Sequence, residues 1–228
     1  MIMIENKHIK RIVQTVVPFM IIPAAAVLSA LFVKREYHLA VSLFAGAFSL
    51  VLFAAGFDKK KIGTRRLVIC AVMTALCFGG RFIPFLKPIV ALTIISGIYL
   101  GSEAGFLVGA AAALLSNFYF GQGPWTVFQM LGWGFTGLFA GMLSGPLKKN
   151  NPLLLAYGAA AGVMYSFIMD IWTVLWYNKG FDIGLYTAAI VSAVPYTLSY
   201  MASNVIFLLM LFEPFGEKLG RVKKKYGI

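Results

Sequence analysis

Residues 116–129 read SNFYFGQGPWTVFQ and separate two strongly apolar runs, 104–120 and 126–145. Gly121, Gly123 and Pro124 must break any helix arriving here, because proline lacks a backbone donor and glycine supplies the freedom a tight reversal needs. The corner therefore divides two helices. Around it stand Asn117, Tyr119, Gln122, Trp125 and Gln129. Amides at the end of an apolar segment cost free energy unless something pairs with them. GQGP lacks the lysine and helix context of a phosphate-binding loop, so it reads as a turn, with Gln122 and Trp125 held over a pocket whose walls Asn117 and Gln129 line.

The apolar character extends along the whole chain. Only 12% of the 228 residues are charged and 60% are hydrophobic, against about 25% charged in soluble domains. The runs 13–33 and 38–57 are each about twenty residues long, enough for a helix to cross a hydrocarbon core of about 30 Å. Further runs follow at 67–83, 89–101, 104–120, 126–145, 152–177 and 183–212. Two of these, 89–101 and 104–120, are short for a crossing and must begin earlier, tilt, or sit in a thinned bilayer. The expectation is an all-α integral membrane protein with about eight transmembrane helices, multi-pass in the cell membrane. Residues 1–57 form an N-terminal hairpin, 58–66 (DKKKIGTRR) a basic cytoplasmic linker, 67–212 a six-helix core, and 213–228 a basic cytoplasmic tail with one helical turn after Pro214. A signal peptide over 7–26 is the competing reading of the first run, but the apolar stretch continues to Val33, favouring a retained helix.

Charge orients the chain. With both termini inside, the clusters Lys7/Lys10/Arg11, Lys59–Lys61, Arg65/Arg66, Lys148/Lys149 and Lys218/Arg221/Lys223–Lys225 all fall on the cytoplasmic face. Lys34, Arg35, Arg81, Lys87 and Lys179 fall outside. That asymmetry is the positive-inside pattern and supports an even number of spans. It also accounts for the net charge of +12 through anionic lipid headgroups. Nucleic acid is not an expected partner, since the basic residues form no single face.

Polar residues gather on three helices at one depth. Gln129 and Trp133 stand four apart, and Trp125 leads into their face; Ser166, Asp170, Thr173 and Tyr177 make a second stripe, flanked by Trp172 and Trp176. Tyr196, Ser199, Tyr200, Ser203 and Asn204 make a third. An aspartate inside a span faces a bundle interior or a water-filled cavity, as a functional group or as a buried structural pair. An aromatic belt explains each stripe singly, but not amides, a carboxylate and hydroxyls converging. The pattern predicts an outward-facing pocket for a small polar and aromatic molecule. Both histidines, His8 and His38, lie in or beside the hairpin, so the core has no Ser/His/Asp set, no metal-ligand cluster and no cofactor motif. Catalysis is not expected. Cys70 and Cys77 read as buried small residues. The pairs Ala71/Ala75 and Gly137/Gly141/Gly145 repeat at four-residue intervals that let helices approach closely in lipid, the glycines within the chain and the alanines either there or against a partner protein.

Residues 67–212 resemble the substrate-binding S component of energy-coupling factor (ECF) vitamin transporters. The likeness rests on Ala71 and Ala75, on the loop GRFIPFLKP, on PIVALTIISGIYLG, and above all on SNFYFGQGPWTVFQMLGWGFTGLFAG. It implies a six-helix bundle that binds a vitamin from outside and docks, through Ala71 and Ala75, on a transmembrane coupling subunit driven by two ATPase subunits. The loop 80–88 becomes a gate. The implied substrate-binding set is Arg81, Asn117, Tyr119, Gln122, Trp125, Gln129, Trp133, Asp170, Trp176, Tyr196, Tyr200 and Asn204. The likeness points to cobalamin or another corrinoid, with queuosine, pantothenate and thiamine precursors open. The hairpin over 13–57 departs from the usual six helices. A self-sufficient facilitator or channel is the alternative, and would carry polar residues through the full depth of the bundle; a membrane anchor would need no converging stripes.

Overall fold

A computed structural model describes residues 63–178 and 180–226, together with Ala24. The predicted hairpin over 1–57 otherwise lies outside the described residues. Within them the chain is all helix and turn: α1 Gly63–Gly80, α2 Ile89–Leu100, α3 Ser102–Phe120, α4 Trp125–Met142, α5 Ser144–Lys149, α6 Asn151–Asn178 and α7 Ile183–Tyr226. Ser102–Phe120, Asn151–Asn178 and Ile183–Lys225 are long and apolar enough to cross a membrane, and Ile89–Leu100 is a shorter apolar helix.

α2 is the axis of the bundle. Every residue from Ile89 to Leu100 except Tyr99 is buried, and the helix packs on all six others. A helix apolar all round belongs in an interior. Thr93 and Ser96 stay compatible with that interior by donating to the carbonyls of Ile89 and Leu92, four residues back.

Glycines bring α2, α3 and α4 into backbone contact. A Cβ on Gly97 or Gly105 would strike the Gly137 carbonyl, and one on Gly109 the Trp133 carbonyl. Gly141 meets the backbone of Ser102 in the same way, whereas Gly145 faces open space. The expected spacing motif is thus a packing device at Gly137 and Gly141 but not at Gly145. The run read as 126–145 ends at Met142, and α5 starts afresh at Ser144 with Pro146 in its first turn, where a missing donor costs nothing.

Two boundaries differ from the sequence expectation. α1 starts at Gly63, inside the stretch read as linker, and Arg66 reaches across to Glu103 on α3 at 3.5 Å. α7 does not stop near Phe212 but runs on through Pro214 to Tyr226. Phe212, Phe215 and Leu219 keep an apolar stripe on the bundle, Gly216 lies against Tyr99, and Lys223–Lys225 suit the negative end of the helix dipole.

The glycine contacts predict an asymmetry measurable by thermal unfolding in detergent. Gly105→Leu or Gly137→Leu should cost about 3 kcal/mol or prevent folding by forcing backbones apart. Gly145→Ala should be neutral or stabilising by up to about 1 kcal/mol.

Candidate functional site

The corner at 121–124 ends α3 with Gly121 at φ 104°, a conformation that favours glycine, and starts α4 at Trp125. The reversal places the end of α3 beside the first turns of α4, and the amides pair with one another. Asn117, 1% exposed, donates from Nδ2 to Thr126 Oγ1 and to Gln129 Oε1, both at 2.8 Å. Thr126 donates to Gln122 Oε1 at 2.9 Å, and Gln122 donates onward to the Leu114 carbonyl at 2.9 Å. Arg81, just past α1, donates from Nη1 to Asn117 Oδ1 at 2.6 Å and to Ser116 Oγ at 2.5 Å. Its guanidinium lies 4.4 Å from the centroid of Phe120 and 5.5 Å from that of Trp133, within cation–π range.

Beside this network is a cavity of about 350 Å³. The loop between α1 and α2 contributes Arg81, Phe85 and Lys87, α4 contributes Gln129 and Trp133, and α6 contributes Gly162 and Tyr165. Tyr196, Ser199, Tyr200, Ser203 and Asn204 line it from α7. Trp133 stacks on Tyr165 at 5.8 Å and 19°, and Tyr200 meets Tyr165 edge-on at 5.1 Å. Gly162 lets α7 in close: a Cβ there would sit 2.8 Å from the Met201 nitrogen. Asn204 fastens the two helices by donating to the Gly158 carbonyl at 2.9 Å.

The loop over the cavity is tied down at one point. Ser203 Oγ accepts from the Lys87 amide at 2.8 Å and donates to the Lys87 carbonyl at 2.9 Å. Burial, and then the charge of Arg81, push the Lys87 ammonium below its ordinary pKa. Phe85 holds φ 63° and is 92% exposed, a conformation that costs a non-glycine residue free energy and recurs at ligand clamps.

Arg81, Gln129, Trp133, Tyr196, Tyr200 and Asn204 thus meet around one space, with Asn117 and Gln122 behind them. The other expected residues lie elsewhere. Trp125 packs edge-on against Trp172 at 5.8 Å, Trp172 stacks on Trp176 at 6.5 Å, and none of the three lines the cavity. Asp170 is buried farther along α6, with Oδ2 lacking a hydrogen-bond partner. Tyr119 is exposed and packs on Phe78 and Phe82. Tyr165 and Lys87 were missed as ligand-facing groups. The signal for Tyr165 was the small-residue run before it, since Gly158, Gly162 and Tyr165 form the α6 stripe that faces α7 and the cavity.

Ala71 and Ala75 occupy a separate place. Both are exposed on α1 and line an apolar groove of about 430 Å³ with Leu67, Cys70, Thr74, Phe78 and, from α3, Leu107, Ala111 and Leu115. Cys70 and Cys77 are buried and free. Among the described residues no cluster of His, Cys, Asp and Glu is arranged to hold a metal ion.

Residues 60–217 match a family described as a family of unknown function, DUF6580. The chain belongs to this family. No curated protein and no solved structure matches it. The DUF6580 segment takes in the cavity, its polar network and the groove on α1, so all three belong to the matched region.

The network makes Asn117 the residue on which the site's geometry turns. Asn117→Ala should cost roughly 2–3 kcal/mol in thermal unfolding, because it removes at once an acceptor from Arg81 and the donor to Thr126 and Gln129. Tyr119→Ala, at an exposed position, should change stability by about 0.5 kcal/mol or less.

Proposed function

We propose that this chain is the membrane-embedded substrate-binding subunit of an ECF-type importer, taking up a vitamin or related micronutrient in partnership with a coupling subunit and two ATPase subunits. The observation that carries the reading is a cavity walled by Trp133, Tyr165, Tyr200, Gln129 and Asn204, roofed by the loop holding Phe85 and Lys87. It is separate from the exposed groove at Ala71 and Ala75. A pocket bearing polar groups on a largely apolar frame is the usual form of a small-molecule site. In this reading the protein crosses the membrane about eight times with both termini inside, and the loop between α1 and α2 is the gate. No catalytic role is assigned to it.

A self-sufficient channel fits less well. The polar lining is confined to the half of the bundle around Arg81, Gln129 and Asn204, while α2, α3 and α4 are in backbone contact from Gly97 and Gly105 to Gly137. Such packing leaves no continuous polar path between these three helices.

Two measurements test the proposal. Mass spectrometry of the purified full-length chain should find a co-purifying small molecule, and Trp133→Ala or Gln129→Ala should lower its retention five- to a hundredfold, as loss of one buried contact of about 1–3 kcal/mol implies. Ala71→Leu combined with Ala75→Leu should abolish ATP-dependent uptake in cells carrying the partner subunits while leaving ligand binding intact, because leucines hold a docking helix off the groove. Equal loss of binding and uptake would make the alanines internal packing residues.

A further inference from the structure

The cavity wall carries two cations and no acid. Arg81 and Lys87 both line it, and none of the other lining residues is Asp or Glu. Neither cation forms an ion pair among the described residues; Arg66 pairs with Glu103 at the opposite end of α1, and Arg221 with Glu217 near the end of α7. Asp170 is close enough to act electrostatically on Tyr186 and Tyr200, but it lies off the lining. Two like charges facing one space without a counter-charge repel each other and lose hydration.

The arginine is also fixed in advance. Its hydrogen bonds to Ser116 and Asn117 both use Nη1, while Phe120 and Trp133 hold the guanidinium from the side. A guanidinium has five N–H donors in a planar fork. Nη2 and Nε have no protein partner among the described residues. Lys87 is anchored through its backbone to Ser203, and its ammonium has no protein acceptor among the described residues. Next to the charges stand Trp133 and Tyr165, stacked on each other and both lining the cavity.

We propose that the cavity takes a small soluble oxyanion, a carboxylate on a flat or conjugated body, with its acid group between Arg81 and Lys87 and its body along Trp133 and Tyr165. This rests on the binding-subunit reading and narrows it. A fixed arginine fork matches a carboxylate bidentately. The volume of about 350 Å³ is at the lower end of the ~300–1,000 Å³ typical of ligand pockets. It suits a compact monocarboxylate and turns the choice away from a corrinoid, whose macrocycle and side arms are far larger.

The test uses the full-length chain in phosphatidylcholine nanodiscs with three matched acid and amide pairs: benzoate and benzamide, 2-naphthoate and 2-naphthamide, indole-3-acetate and indole-3-acetamide. Affinity is read by isothermal titration calorimetry and from the unfolding midpoint. The expected result is that at least one acid binds tenfold or more tightly than its amide. That preference should fall to within about twofold in Arg81→Gln, survive in part in Arg81→Lys, and weaken in Lys87→Gln, whose exposed side chain has no hydrogen bond to lose. Acid and amide binding equally would overturn the anion while leaving the binding-subunit reading in place. Stabilisation only when phosphatidylglycerol replaces phosphatidylcholine would assign the cations to lipid headgroups and overturn the soluble ligand. Failure of every pair in both lipids would overturn the aromatic carboxylate, while the search for a co-purifying small molecule tests the binding-subunit reading separately.

Discussion

The arrangement depends on one buried amide. Asn117 sits at 1% exposure near the end of an apolar helix, where each unmet donor or acceptor costs far more than a hydrogen bond formed in water contributes. It meets that constraint by joining three parts of the chain: Arg81 from the end of α1, Thr126 and Gln129 from α4, and its own α3. The cost of leaving any of these groups alone is what fixes the guanidinium at the cavity. The cation proposed to bind the ligand is thereby held by bonds that also join α3 and α4.

The opposite half of the bundle meets a different constraint. In lipid there is little hydrophobic drive between helices, and association depends on close packing. Gly97, Gly105, Gly109, Gly137 and Gly141 supply it by letting backbones touch. The amide network and the glycine seam share α3 and α4, with Gly109 meeting the backbone at Trp133. Trp133 is therefore held at its backbone by the glycine seam while its side chain, stacked on Tyr165, belongs to the cavity wall.

The sequence made the helical segments readable because apolar runs and Gly/Pro corners mark them strongly, and α2, α3, α4 and α6 end within a few residues of the expected positions. α5 was hidden because Pro146 reads equally as a stop and as a first-turn residue. The polar groups at 117, 122 and 129 were readable as a group, but their partners were not. Asn117 and Arg81 are 36 residues apart, and no periodicity reports a contact of that kind. On α6 the expected stripe runs through Ser166 and Asp170; Gly162, four residues before Ser166, lies at the edge of that stripe, whereas Tyr165 is one residue and about 100° from Ser166. Asp170 keeps an unmet oxygen on the polar stripe, while Tyr165, following the small residues Gly158 and Gly162, forms the wall.

α1 is the element on which the two surfaces converge. Its exposed side presents Ala71 and Ala75 to the groove, and its buried side sets Met73 and Cys77 into the core, where Cys77 donates weakly to the Ile89 carbonyl at the start of α2. One residue beyond its last turn comes Arg81, and six further on Lys87, latched to α7 by Ser203. A helix of 18 residues is stiff along its length, and this one packs on α2 and α3 without being enclosed by them. Beyond its far end the chain is tied to α3 by the bonds from Arg81 to Ser116 and Asn117. These are the bonds that pre-orient the fork for the oxyanion proposed above, so the residue proposed to hold the ligand is tied to the end of the helix that carries the groove. Groove and cavity thus lie along α1 and the loop that follows it, joined through the bond from Arg81 to the buried asparagine.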